Sequence, residues 1–430
     1  MKHSRIRKLT PVAWVLILLL VLGLGTAGLF YLKKSSMPSW MKVETKEKAS
    51  GEMQYKKYKT GKNQAIVYYP KFKQKELNEV IQEKVSTYVT TFEAMNPDAE
   101  TQAKLDYQAE NINTEAVTLR FVWSVDNAEV STEMMTLKTE DGAGYPLSEL
   151  MRDDALKHIA FKSMPKSYDQ IMLLNAYETL KSQASYYLSE KSLAFGDVTL
   201  ERADIEGYFK DAKQPTQVPY VYIPRKMDRN KKLVAMTFDD GPHFEVTKKV
   251  LNLLEELGGK ATFFTLGSLL EKHPEIVKSA AEKGHEIAYH SYDHPNLTTI
   301  SKKDILFQIN ESSQKIHKIL NSEGTLLLRP PYGAVNETVM SYFDNPIVNW
   351  SVDTKDWKSR NGKAVCTEIM RHTSKGDIVL MHDIYNSTYE GFECAARQLK
   401  AQGFEFVTVS ELMSAYSVPL KGQKIYHYAH

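Results

Sequence analysis

The apolar positions of this chain change period twice, and each change predicts a different kind of structure. Residues 12–32 are an apolar run without a charge; as a helix it reaches about 31 Å, enough to cross a hydrocarbon core. Residues 33–62 have no period and are dense in Lys, Glu and Ser, which reads as a polar, solvated stalk. From 63 to 227 the pattern mixes. Residues 64–69 suit a short strand, and 76–92 place Leu77, Val80, Ile81, Val85, Tyr88, Val89 and Phe92 at helical spacing. Val117, Leu119, Phe121, Trp123 and Val125 alternate with more polar neighbours, Asp126-Asn127 offers a turn, and 128–137 supplies the second arm of a hairpin. Residues 147–159 and 168–188 read as helices, so this is an α+β region of one or two small domains.

A proline-marked stretch, Gln214 to Pro219 and then Pro224, precedes the third pattern. Strand-length apolar runs at 233–238, 261–266, 286–290, 325–328, 347–352, 378–382 and 405–409 alternate with helical segments at 245–257, 274–283, 302–320, 363–373 and 391–401. That alternation predicts parallel βαβ units closed into an irregular (β/α) barrel of about seven strands over residues 228–430. In such folds the chemistry sits at the carboxyl ends of the strands.

Charge and composition narrow the setting. Lys and Arg number 55 against 53 Asp and Glu in 430 residues, so no broad positive field points to nucleic acid. Lys2, Arg5, Arg7 and Lys8 precede the apolar run, and Lys33 and Lys34 follow it. The cationic excess ahead of it predicts residues 1–11 in the cytoplasm, 12–32 as a single-pass membrane anchor and the rest of the chain outside the cell. A cleaved signal peptide, with Gly25-Thr26-Ala27 as the small-residue site, is the alternative and leaves the body outside as well. Cys366 and Cys394 lack metal-ligand spacing and suit either one disulfide or two buried thiols. Residues 35–225 hold no catalytic constellation, and nothing in the chain indicates a protein partner.

The polar residues that stand out in the last region fall at its predicted strand ends. Asp239 and Asp240 close the first strand, and Gly241-Pro242 stops it, so the backbone can curl and bring both carboxylates to one place. Taken alone, Asp-Asp-Gly-Pro is equally good turn chemistry. His290 and His294 close the third strand; at i and i+4 they share one face of a helical turn and can reach one ion. Asp240, His290 and His294 then make a three-ligand site with positions open for water and substrate, the arrangement of catalytic zinc, although cobalt, nickel or manganese also accept nitrogen and oxygen donors. Arg329, Tyr332, Asp356, Trp357, Leu380 and His382 lie at three further strand ends. Singly, each is as readily a surface charge, a core histidine or core packing.

In this order TFDDGP, HSYDH, RPPYG, DTKDW and LMHD resemble the five motifs of the polysaccharide deacetylases, carbohydrate esterase family 4 or NodB-homology domains, over roughly residues 228–430. The resemblance implies Asp239 as general base, Asp240, His290 and His294 as metal ligands, and His382 as general acid. It implies that Arg329 pairs with Asp239, that Asp356 tunes His382, that Tyr332 offers a backbone N–H to the oxyanion, and that Trp357 and Leu380 line a pocket for the acetyl methyl. The arrangement of anchor, α+β region and C-terminal domain is similar to the peptidoglycan N-acetylglucosamine deacetylases of streptococci. This implies peptidoglycan glycan strands as substrate and protection of the wall from lysozyme. Chitin, poly-N-acetylglucosamine and acetyl xylan stay open as substrates of the same chemistry, as does a non-catalytic carbohydrate-binding protein.

Overall fold

A computed structural model describes residues 51–165 and 169–429. The apolar span 12–32, expected as a membrane anchor, lies outside the described residues. No helix among the described residues is long and apolar enough to cross a membrane. The described chain forms two compact units, one from residues up to 156 together with 178–217, the other from 157–177 together with 218 onward.

The first unit is built on a five-stranded sheet of β1 (Glu52–Thr60), β2 (Asn63–Lys71), β3 (Gln102–Asn111), β4 (Ala116–Val125) and β5 (Ala128–Lys138), in that spatial order. Helix α1 (Lys75–Glu93) crosses from β2 to the parallel β3 and buries Leu77, Ile81, Val85, Tyr88 and Phe92. The stripe expected from the 3.6-residue period packs with Leu105, Tyr107, Leu119, Phe121 and Trp123. Asp126 and Asn127 both take positive φ, 50° and 65°, as the two-residue hairpin between β4 and β5 requires. Two expectations fail here. Residues 52–60, assigned to the polar stalk, form the edge strand β1, whose mostly exposed Lys-rich side chains hide its pairing with β2. Residues 147–159 and 168–188 are not two continuous helices. The first breaks at Met151 and Arg152, before α2 (Asp153–Ser163). The second is α3 (Gln170–Ser182), followed by strand β6 (Tyr186–Leu188), which pairs with β7 (Ser192–Phe195), itself paired with β8 (Val198–Glu201). Short apolar runs do not distinguish strand from buried helix, and pairing with β7 decides.

The second unit has a parallel sheet ordered β11 (Glu286–Tyr289), β10 (Thr262–Thr265), β9 (Lys232–Asp239), β14 (Ile378–His382), β13 (Val352–Asp353), with β15 (Phe404–Val407) paired to the first half of β9. The run 325–328, expected as a full strand, contributes single-residue bridges: Leu328 pairs with Tyr289 on one side and Ile347 on the other. The run 347–352 is split into β12 (Ile347–Val348) and β13 by residues 349–351. The pairings therefore run right round the unit, with one break. Along β9, Val234, Met236 and Phe238 join the layer beneath the helices, while Leu233 and Ala235 join the inner cluster, so Thr237 and Asp239 also point inward. A strand covered on both faces reads as a continuous apolar run, as this one does.

Helices α4 (Val246–Glu256), α5 (Pro274–Glu282), α6 (Lys302–Leu320), α7 (Gly362–His372), α8 (Asn386–Ala401) and α9 (Val409–Ala415) belong to this unit, as do residues 157–163 of α2 and 170–177 of α3. Cys366 of α7 and Cys394 of α8 form a disulfide, which settles the alternative left open by spacing. Close by, Gly391 of α8 touches α7 so tightly that an added Cβ would lie 2.5 Å from the Val365 Cβ and 2.7 Å from the Gly362 carbonyl oxygen. Neither atom is the free end of a flexible side chain. Gly391→Ala gains about 1 kcal/mol of helix propensity, yet overpacking at a rigid contact costs roughly 1–3 kcal/mol, a net loss of up to about 2 kcal/mol. Its melting temperature and denaturation midpoint should fall; an unchanged or raised midpoint would show that α7 and α8 shift at this contact with little cost.

Candidate active site

Strand β9 ends at Asp239, whose carboxylate points into the unit and is 2% exposed. Arg329, fully buried, meets it at 2.7 Å from Nη1. The same Nη1 donates to Thr237 Oγ1, Nε to the Val348 carbonyl and Nη2 to the Asn349 carbonyl. The guanidinium also lies 4.1 Å above the Phe264 ring. A buried cation is tolerated only when its donors are used in this way. Burial raises the Asp239 carboxyl above its usual value, and Arg329 and His382 oppose that shift.

Asp240, the next residue, would face away from Asp239 in a continuing strand. Its φ of +70° turns the chain instead, and Gly241 follows against Asp383, where a Cβ would sit 2.5 Å from a carboxylate oxygen. His290 and His294 do converge with Asp240, but not through the helical turn that their spacing suggested. The segment is irregular, and Ser291 and His294 are left-handed, with φ of 73° and 71°. His290 Nε2 lies 3.8 Å and His294 Nε2 3.6 Å from Asp240 Oδ1.

These three side chains fit a divalent cation on several grounds. One donor atom from each lies within 4.8 Å of the others. Asp240 Oδ1 is buried with no hydrogen-bond partner. The His290 ring donates Nδ1–H to the Arg329 carbonyl at 2.6 Å, which leaves an Nε2 lone pair aimed at the cluster. Burial holds His290 down at about 3, so the imidazole is neutral and ready to ligate. The other described residues contain no group of three or more His, Cys, Asp or Glu arranged in this way.

Across from this cluster, His382 ends β14 in register with Asp239 on the neighbouring strand. Its Nδ1 donates to Asp356 Oδ1 at 2.8 Å, while Asp356 Oδ2 accepts the His382 backbone N–H and the Thr388 hydroxyl. Burial pulls the imidazole down, but the bond to Asp356 and its charge win, and His382 is pushed up to about 9. Burial also opposes ionisation of Asp356, yet His382 and Thr388 hold it below the usual carboxylate range. Leu380 is buried two residues earlier on the same side of β14. Trp357, after Asp356, is half exposed. Tyr332 is 66% exposed, left-handed at φ 60°, and sets its ring edge-on to His294 at 4.7 Å.

Sequence reading assigned no role to several residues that shape this site. Asp383 is buried, accepts from the Thr247 hydroxyl and is pushed up to about 7 by burial. Asn349 donates to the Gly333 carbonyl at 3.3 Å, beside Tyr332. The Tyr385 ring lies 6.3 Å from His382 and carries Arg360 stacked at 3.4 Å. Gln308 reaches the loop between the two histidines from α6. Only Asp383 had a signal, its place beside His382.

The sequence pattern of the polysaccharide deacetylase family matches residues 226–345. The peptidoglycan-N-acetylglucosamine deacetylase PgdA of Listeria monocytogenes is 29% identical, with 94% of each chain covered, so the likeness runs through both units. A peptidoglycan-N-acetylglucosamine deacetylase of Bacillus cereus is 32% identical over 45% of this chain and 94% of its own. The peptidoglycan-N-acetylmuramic acid deacetylase PdaC of Bacillus subtilis is 33% identical over 61% of this chain and 59% of its own. With its motif residues gathered at one end of a parallel sheet and Asp240, His290 and His294 as candidate metal ligands, the chain belongs to the polysaccharide deacetylase family.

Proposed function

We propose that this protein hydrolyses the N-acetyl group of N-acetylglucosamine residues in peptidoglycan, releasing acetate and leaving a glucosamine amine. The observation that carries the reading is the pairing across β9 and β14. A carboxylate held by Arg329 and an imidazole held protonated by Asp356 stand in register beside one metal-ligand cluster. The relatives named for peptidoglycan support the choice of polymer.

Asp240, His290 and His294 would hold the cation, and the borderline nitrogen and oxygen donor set favours zinc. Such an ion supplies Lewis-acid polarisation of a carbonyl and makes water more acidic. Asp239 accepts a proton from the water that attacks the acetyl carbon. The Tyr332 N–H donates to the carbonyl oxygen as negative charge develops there. Nδ1 of His382 is committed to Asp356, so Nε2 delivers the proton to the sugar nitrogen as the C–N bond breaks. Leu380 and Trp357 line the space for the acetyl methyl. The apolar span 12–32 would tether the chain at the membrane facing the wall. Each turnover exposes a cationic amine, which hinders lysozyme that grips the acetamide.

Acetate release from purified peptidoglycan, with mass spectrometry of the fragments, tests the reading. It requires one acetyl lost per glucosamine, removed by chelation and restored by zinc. Loss from muramic acid instead, or release only from chitin or acetyl xylan, would overturn the choice of substrate. Asp239→Asn should retain zinc while turnover falls roughly 100- to 10,000-fold. Because His382 must be protonated to act, activity should decline as pH rises through about 9. In Asp356→Asn that alkaline limb should move down toward the ordinary histidine value of about 6.5. An unmoved limb would remove His382 from the role of acid.

A further inference from the structure

Helix α6 turns one buried amide toward the loop that carries two of the metal ligands. Gln308 is 6% exposed, and its Oε1 accepts the backbone N–H groups of Tyr292 at 2.8 Å and Asp293 at 3.1 Å. Its Nε2 donates to Asp293 Oδ1 at 2.6 Å. Both amides lie between His290 and His294, in a stretch with two left-handed non-glycine residues. No helix or strand ladder holds these residues. The other ties act on the ends of the loop and on its carbonyls: His290 N–H donates to the Thr265 carbonyl, His294 N–H to Ser291 Oγ, and the Ser291 and Tyr292 carbonyls accept from Gly267 and Ser268 N–H. The backbone N–H groups in the middle of the loop, those of residues 292 and 293, are held by Gln308. The neighbouring Phe307 adds only an edge-on ring contact with Tyr292 at 5.0 Å.

We propose that Gln308 is a positioning residue of the metal site, clamping residues 292 and 293 so that the His294 imidazole stays aimed at Asp240. It touches neither metal nor substrate and acts through His294. The inference rests on the metal-dependent reading above. Outer residues that orient metal ligands typically change affinity 10–100-fold when removed.

The contact has a polarity that can be reversed. Gln308→Glu sets two carboxylates against each other at the 2.6 Å contact and should release the loop. Asp293→Asn alone should be near neutral, because an amide oxygen still accepts from Gln308. In the double variant the new amide at position 293 donates to the new carboxylate at position 308, which can still accept both backbone N–H groups. The readout is zinc affinity of the full-length protein by competition with a chromophoric chelator, alongside the visible spectrum with cobalt and the melting curve without metal. Gln308→Glu and Gln308→Leu should weaken zinc binding roughly 10- to 100-fold and alter the cobalt spectrum. Asp293→Asn should leave both nearly unchanged, and Gln308→Glu with Asp293→Asn should restore both. Wild-type affinity in both Gln308 single variants overturns the inference, and so does a double variant that is weak or unfolded. If a single variant does not fold, the double variant decides. Wild-type zinc binding tests the metal reading itself, and a wild-type chain that bound no zinc would sink both.

Discussion

Arg329 is the interaction on which the catalytic end of this protein depends. Taking a guanidinium out of water carries a penalty of several kcal/mol unless its donors are matched. Here each matched donor also does a structural job. The sheet is thinnest where residue 328 makes only single bridges and β12 stops after two residues. Arg329 spans that gap with its side chain, donating to the carbonyls of Val348 and Asn349 where a ladder would otherwise run. Its Nη1 holds Asp239, and its own carbonyl accepts from His290 Nδ1. One residue thus closes the sheet, fixes the carboxylate and selects the histidine tautomer that can ligate.

The two carboxylate–cation pairs at the site work in opposite directions on the groups that face the cleft. Arg329 opposes the upward push that burial exerts on the Asp239 carboxyl, although burial remains the larger influence. Asp356 keeps an imidazole charged where burial again favours the neutral form. The two pairs stand on adjacent strands in register, a carboxyl beside a guanidinium and an imidazole beside a carboxylate, so burial and partner together set the tendency of each. His290, buried without a carboxylate on its Nδ1, goes the other way and stays neutral.

Backbone geometry makes this convergence possible. Asp240, Ser291, His294, Tyr332 and Lys355 all take positive φ without being glycine, and all lie in the loops at the site end of the strands. Each such residue costs on the order of 1–3 kcal/mol and persists only where its surroundings insist on it. Those surroundings are visible: Gly241 pressed against Asp383, Gln308 on the histidine loop, Asn349 on the Gly333 carbonyl.

The linear chain by itself determined which residue types reach the ends of parallel strands, because apolar runs of strand length and helical stripes set the alternation, and Asp239, Asp240, His290, His294, Arg329, Asp356 and His382 each end or follow such a run. It also determined the hairpin at Asp126-Asn127 and the α1 stripe, since both depend on contacts a few residues apart. The edge strand β1 and strand β6 were hidden because pairing partners, not their own composition, define them. The left-handed turn at His290–His294, the clamp by Gln308 and the Cys366–Cys394 bond were decided only in three dimensions. Each depends on what another element places alongside, and spacing along a chain carries no information about a neighbour that arrives from elsewhere in the fold.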